Sequence, residues 1–154
     1  MITYLINGLR FPVARWLYRW RGPVWWQWDS EHPQARVPAP QWAGTRWLFV
    51  DAEMVPLLRA CWAWDLVTLY SCQEFDPGRA QIVFDTDDAA RDFAMVAMGS
   101  HEPDGWEFTP MAPAYGDPDV PSVGVLFDRE LLFRTTLRGP DGERFGPSTA
   151  EGEV

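Results

Sequence analysis

The chain of 154 residues contains no lysine, only two cysteines and two histidines, and all thirteen of its basic residues are arginine. Two cysteines are too few for the disulfide framework of a small secreted domain, so they indicate a reducing compartment. No stretch approaches the roughly 20 consecutive apolar residues of a transmembrane helix. Asn7, Gly8, Arg10 and Pro12 interrupt the apolar residues near the start, which argues against a signal peptide. The sequence therefore predicts a cytoplasmic protein.

Several short motifs of known chemistry are also missing. The sequence has no glycine-rich phosphate loop, no Walker pattern and no Gly-x-Ser-x-Gly turn. The residue types that bind zinc are present as Cys61, Cys72, His32 and His101. No two of these residues have the short spacing of a structural zinc site. The sequence therefore predicts no metal and no cofactor.

The charge is acidic and unevenly distributed. The net charge is −9 at pH 7, yet residues 1–28 carry four arginines and no acidic residue. The remaining residues carry nine arginines against 22 aspartates and glutamates, which is a net charge of −13. An acidic body repels the phosphate backbone of nucleic acids. Nucleic-acid binding is therefore not expected except through the N-terminal segment, whereas a basic protein partner would suit the body.

The sequence is rich in tryptophan, with ten residues in all, and five of them fall in RWLYRWRGPVWWQW, residues 15–28. We call this stretch the Trp/Arg segment. Trp and Arg are enriched in protein-binding hot spots. Their interleaving is also typical of peptides that bind membranes and of sites that stack single-stranded bases. The residues through which the segment would bind a partner are Arg15, Trp16, Arg19, Trp20, Trp25, Trp26 and Trp28.

A place in the hydrophobic core competes with these binding roles. Trp16 and Trp20 have the spacing of one helix face, and Pro12 and Gly22 suit the two ends of a helix over residues 12–21. The alternation of aromatic residues in the same stretch also fits a hairpin strand. The other five tryptophans lie in core-like contexts, so we favour burial of Trp16 and Trp20 and keep the partner surface as the alternative.

Residues 46–110 show strand and helix patterns in the order β-α-β-β-α-β. This is the ferredoxin-like order, in which two helices pack on one face of an antiparallel sheet, so the predicted class is α+β. The predicted strands are RWLFVD at 46–51, VTLYSCQ at 67–73, AQIVFD at 80–85 and a fourth around Trp106 and Phe108. The predicted helices end near Trp64 and at Met98, and Thr86 and Gly99 are the expected caps of the second. The expected core comprises Trp47, Phe49, Leu58, Cys61, Leu69, Ile82, Phe84, Phe93 and Trp106 or Phe108.

We predict a single α+β domain over residues 1–138. It would consist of an N-terminal extension at 1–45, the ferredoxin-like core at 46–110, and a further strand and short helix within 111–138. Residues 29–45 hold three prolines and a glycine and predict an irregular connection. Residues 139–154 are polar and rich in glycine and proline, which predicts a flexible tail.

Ser71, Cys72 and Gln73 are the candidate catalytic residues. We expect them at the end of a strand just before a loop, where a nucleophile can be displayed. A thiol nucleophile needs a base or a positive neighbour in order to ionise, and the imidazoles available are His32 and His101. A half-buried strand cysteine without catalytic function is the alternative, and we favour it, since free cysteine often behaves as a small hydrophobic residue.

A resemblance bears on the same region. About a third of the chain resembles a recurrent segment of small uncharacterised proteins from actinobacteria and their phages. The stretches that carry the resemblance are VDAEMVPLLRACWAWDLVTLYSCQ and GRAQIVFDTDDAARDF. In those proteins a helix leads into a strand ending Thr-x-x-Ser-Cys-Gln, which implies a shared fold. A fainter similarity is to the wybutosine tRNA methyltransferase family, whose strand reads Ser-Ser-Cys-Ser-Gly-Arg. Here Gln73 follows Cys72, and Gly78-Arg79 come after an insertion.

Three functions from different classes remain as hypotheses. The favoured one is a non-enzymatic binding or regulatory protein, encoded by a phage or mobile element, that acts through a protein partner; a second copy of the chain is one candidate. The second is an enzyme acting on a nucleotide or RNA, centred on Ser71, Cys72 and Gln73. The third is an acidic mimic of nucleic acid, whose binding to basic proteins would weaken steeply with salt.

Overall fold

The computed structural model describes residues 32–111 and 121–146. The Trp/Arg segment and the helix predicted at 12–21 lie outside these ranges. Helices and antiparallel sheets are both present, which confirms the α+β class. The chain divides into two compact units, residues 1–51 and 52–154. Within the described ranges no helix is long and apolar enough to cross a bilayer.

Strands β1 (Gln34–Pro38) and β2 (Trp47–Asp51) form a two-stranded antiparallel sheet in the first unit. The sequence predicts β2, whereas β1 falls within the stretch expected to be irregular, so that expectation is wrong for these five residues. The prolines are compatible with the strand because they border it. Pro33 precedes its first residue and Pro38 is its last, so neither removes a hydrogen-bond donor from its middle.

The second unit begins with a 3-10 turn at Ala52–Met54, and its described residues form three helices and six strands. In chain order these are α1 (Val55–Ala63), β3 (Thr68–Asp76), β4 (Arg79–Phe84), α2 (Asp87–Met98), β5 (Glu107–Met111), β6 (Ser122–Asp128), α3 (Leu131–Arg134), β7 (Leu137–Arg138) and β8 (Arg144–Phe145). Each strand and helix predicted between 52 and 110 is present within a few residues of its expected bounds.

The main sheet has the strand order β3-β4-β6-β5, and all of its neighbouring pairs are antiparallel. A ferredoxin-like sheet would place the strand at 46–51 beside β4. The neighbours of β4 are instead β3 and β6, and β2 pairs with β1, so the ferredoxin-like order is wrong for the described strands. β6, which we expected outside the core, occupies a central position because its face of Val123, Val125 and Phe127 is buried.

Local signals determine both ends of α2. The hydroxyl oxygen of Thr86 accepts a hydrogen bond from the Ala89 backbone N–H at 3.1 Å, which satisfies one of the unpaired donors of the first turn. Asp87 and Asp88 follow, at the positive end of the helix dipole. The helix ends at Gly99, whose φ of +70° lies in the left-handed region that favours glycine. Both predicted caps are confirmed.

The core of the second unit is centred on Phe93 of α2. Its ring centroid lies 5.2 Å from that of Phe84, 5.3 Å from Trp106 and 5.8 Å from Phe127. Trp106 also stacks on Phe127 at 5.1 Å. The predicted core residues that are buried are Leu58, Cys61, Ile82, Phe84 and Phe93. The others are only half-buried: Leu69, Trp106 and Phe108 in this unit, and Trp47 and Phe49 in the first unit.

Hairpin β7–β8 lies partly within the predicted tail. Leu137 faces Phe145 across the hairpin, and both side chains are buried. The prediction of a flexible tail from 139 is therefore wrong for residues 139–146, because one aromatic side chain among the polar residues is enough to attach the segment to the core. Residues 147–154 lie outside the described ranges.

Candidate functional site

The candidate residues Ser71, Cys72 and Gln73 lie in the middle of β3 rather than at its end, since the strand continues to Asp76. Ser71 faces Ile82 and Cys72 faces Gln81 on the neighbouring strand β4. Side chains alternate between the two faces of a sheet, so Ser71 and Cys72 point to opposite faces. The structure therefore does not gather the three side chains into one cluster.

Gln73 has a role in the fold. Its side chain is only 3 % exposed, and its Oε1 accepts a hydrogen bond from the Glu53 backbone N–H at 3.2 Å. This bond attaches the 3-10 turn that leads into α1 to the edge of the main sheet. A buried amide that is already bonded to the backbone is typical of a structural residue.

The two imidazoles lie in different surroundings. His101 is exposed, and its Nδ1 lies 3.2 Å from the carbonyl oxygen of Arg91 on α2. His32 belongs to the first unit, where its carbonyl oxygen accepts a hydrogen bond of 3.4 Å from the Gln34 side chain. The same amide also donates to the buried carboxylate of Asp51.

The two thiols also differ. Cys61 is fully enclosed on the inner face of α1, and burial raises the pKa of its thiol, because the thiolate would lose its hydration. Its predicted role in packing is confirmed. Cys72 is half-buried on β3.

Thiol labelling separates these two cysteines. In the Cys72→Ser variant only Cys61 remains, and we expect no reaction with an aromatic disulfide reagent at neutral pH until the protein is unfolded. In the unmodified protein Cys72 should react no faster than an ordinary cysteine, as expected for a packed strand residue. A rate well above that of a free cysteine would instead favour the enzyme hypothesis.

A half-buried ion-pair cluster joins three parts of the second unit. The Arg129 guanidinium binds both carboxylate oxygens of Glu53, with its NH2 at 2.9 and 2.7 Å and its Nε at 3.0 Å. Its remaining nitrogen lies 3.0 Å from the Glu74 carboxylate. The hydrogen bond to Glu53 is the main cause of the raised pKa of Arg129. The sequence alone does not indicate this cluster, because the three residues are far apart along the chain.

We expect Arg129→Ala to lower the free energy of unfolding by about 1.5–3 kcal/mol, because it removes charge-assisted hydrogen bonds and leaves two carboxylates unpaired. Arg134→Ala is the control: Arg134 is exposed and, among the described residues, pairs with Glu130 alone, four residues earlier, so its loss should cost about 0.5 kcal/mol or less. Urea denaturation of both variants measures the difference. Equal losses would mean that the Arg129 cluster does not stabilise the fold.

A second group of arginines lies on the surface formed by α1 and the β7–β8 hairpin. Arg138 and Arg144 stand directly opposite each other across the hairpin, and Arg59 is exposed on α1. Trp64, which caps α1, is 41 % exposed, and its indole N–H donates to the Arg138 carbonyl oxygen at 2.8 Å. We call these four residues the arginine surface.

The arginine surface differs from the rest of the second unit in its pairing. Four other arginines bind carboxylates at or below 3.4 Å, namely Arg79, Arg91, Arg129 and Arg134. Arg59, Arg138 and Arg144 form no ion pair with any residue that the structure describes. Like charges opposite each other in a hairpin are destabilising, so the unmatched positive charge costs folding free energy.

A small open cleft lies beside this surface. Its volume is about 130 Å³, and its lining includes Val55, Pro56 and Arg59 from α1 and Glu143 and Arg144 from the hairpin. Sequence reasoning missed both the cleft and the surface, because it assigned Glu143 and Arg144 to a flexible tail. The available signal in the sequence was Arg59, a charged residue directly after the apolar Leu58, which indicates an exposed position of the helix.

A comparison of the chain with protein-family models gives no match, and neither do comparisons with curated proteins and with solved structures.

Proposed function

We propose that this chain is a non-enzymatic binding or regulatory protein that acts through a protein partner. The observation that carries the proposal is the arginine surface, on which three arginines that form no ion pair within the described part of the chain accompany a tryptophan that is 41 % exposed. Trp and Arg are the residue types that most often dominate the binding energy of protein interfaces.

The like charges on the arginine surface cost folding free energy, and this cost favours a surface whose charges a partner neutralises on binding. Four other arginines of the second unit bind carboxylates, three of them half-buried and one exposed. The facing pair Arg138 and Arg144 instead repel each other. A partner that brings negative charge to the hairpin would remove this repulsion, so part of the folding cost would return as binding free energy.

The catalytic hypothesis has less support. Its three residues do not converge, since Ser71 and Cys72 point to opposite faces of the sheet and Gln73 already binds the backbone of Glu53. It stays a prediction, and the labelling of Cys72 tests it.

The proposal is tested with the full chain as bait against cytoplasmic extract of its source. We expect the unmodified chain to recover the same partner repeatedly. Met98→Ser, a control at an exposed position of α2, should recover it too, whereas Trp64→Ser should not. Melting curves of both variants must show that they fold, because Trp64 also donates a hydrogen bond to the hairpin. Repeated failure to recover any partner, or recovery that Trp64→Ser does not reduce, would contradict the proposal.

A further inference from the structure

We infer that the cleft between α1 and the β7–β8 hairpin binds an oxyanion, a carboxylate or phosphoryl group carried by an acidic segment of a protein partner. The inference rests on the proposed function and adds the chemistry of the partner. Arg59 and Arg144 line the cleft from opposite sides, and Arg138 stands beside Arg144 on the hairpin.

The local charge favours an anion. Two acidic residues lie on the same hairpin, Glu143 in the lining of the cleft and Asp141 in the turn, and neither forms an ion pair with the three arginines. On the hairpin and in the cleft lining, three arginines stand against these two carboxylates, although the whole chain has a net charge of −9. Guanidinium groups bind carboxylate and phosphoryl oxygens in pairs of parallel hydrogen bonds, so two arginines in the lining of one cleft suit one oxyanion.

The cleft is small compared with sites that enclose a whole small molecule. Sites that enclose a drug-sized ligand or cofactor usually have about 300–1,000 Å³, whereas this cleft has about 130 Å³. One anionic group fits, and the rest of the ligand must lie on the surface outside. Trp64, exposed on the same surface, offers apolar contact to that remainder.

A nucleic acid is the less favourable source of the oxyanion. Three arginines can contact only a short length of backbone, and neighbouring phosphates would meet the repulsion of the acidic body. An acidic peptide can present its charges at the cleft alone and continue as neutral chain. The partner segment therefore carries a short cluster of Asp, Glu or phosphorylated side chains that meets the cleft.

The test measures fluorescence anisotropy of short labelled peptides with the full chain at low and high salt. Two probes distinguish the source of the oxyanion: one peptide rich in glutamate and one of the same length that carries phosphoserine. We expect at least one of them to bind and to weaken as salt screens the charges. A lysine-rich peptide and a single-stranded oligonucleotide should bind less well, and tighter binding of either would overturn the inference.

Variants locate the binding in the cleft. The double variant Arg59→Gln, Arg144→Gln should weaken peptide binding by about tenfold or more, since charge-assisted hydrogen bonds are lost. Glu143→Gln should strengthen it, because a competing carboxylate is removed from the cleft lining. The matched control is Arg134→Gln, an arginine already paired with Glu130, which should leave binding unchanged. Equal affinity in the double variant and the control would overturn the inference.

The inference and the proposed function can fail separately. If extract yields a partner that needs Trp64 but binding does not change in Arg59→Gln, Arg144→Gln, the protein-binding function stands and the oxyanion site is wrong. If no partner is recovered, the proposed function fails, while the peptide titrations still decide whether the cleft binds an anion.

Discussion

Replacing Phe93 by alanine is expected to lower the free energy of unfolding by about 3–5 kcal/mol, the usual cost of emptying a large aromatic site in a packed core. Phe93 is 1 % exposed and contacts the rings of Phe84, Trp106 and Phe127. The Phe93 side chain therefore joins α2 to β4, to β6 and to Trp106 just before β5, and the variant loses all three contacts. A loss of this size is a large part of the roughly 5–15 kcal/mol that stabilises an ordinary domain.

Met95→Ala, two residues further along α2, is the matched control. Met95 is 39 % exposed on the outer face of the same helix, so its loss should change stability by about 0.5 kcal/mol or less. Urea denaturation of both variants, fitted with the same dependence of the unfolding free energy on urea concentration, gives the comparison. If Phe93→Ala cost no more than Met95→Ala, the aromatic cluster would not be the core of the unit.

Trp20→Ala is the second change with a large expected effect. Trp20 lies outside the described residues, and its burial stays a prediction from the helical spacing of Trp16 and Trp20. The core-like contexts expected of the other tryptophans give it less support, because Trp42 and Trp64 are 39 % and 41 % exposed. If the prediction is correct, the variant loses about 3–5 kcal/mol of unfolding free energy. Trp42→Ala provides the same chemical change at a partly exposed position of the first unit, where a smaller loss is expected.

Thermal melting of Trp20→Ala decides between the two roles of the Trp/Arg segment. A barely shifted midpoint would contradict burial in the core. Retained stability together with loss of partner recovery would then assign the segment to the partner surface, alongside or in place of the arginine surface. The two surfaces are separable, because Trp64→Ser and Trp20→Ala can be compared in the same capture experiment.

Features that depend on neighbouring residues in the sequence could be predicted. The ends of α2 follow from Thr86 and Gly99, since a cap needs only the backbone within one turn. The buried face of β4 follows from the alternation of Ala80, Ile82 and Phe84. Each of these signals acts within a single helix turn or strand. The predictions made from them therefore hold whatever the arrangement of the helices and strands.

Features that depend on distant pairs could not be predicted in the same way. Nothing in the alternation within β4 indicates that β6 rather than β2 lies beside it, because strands pair through their backbones and either apolar strand could pair with its edge. The Arg129 cluster depends on the same arrangement, since Glu53, Glu74 and Arg129 meet only after the sheet has formed. Hairpin β7–β8 was missed for another reason: composition is averaged over a segment, whereas a single buried side chain, Phe145, attaches it.

The central position of β6 has a consequence for synthesis of the protein on the ribosome. β4 finds its first neighbour, β3, as soon as the intervening turn is made, but its second neighbour begins only at Ser122. β5 must also wait, because in the described sheet its partner is β6. At the usual rate of about 5–20 residues per second, the gap lasts on the order of seconds. During that time the nascent chain exposes the apolar face of β4 and the rings around Phe93, and this interval is when the protein most needs a chaperone.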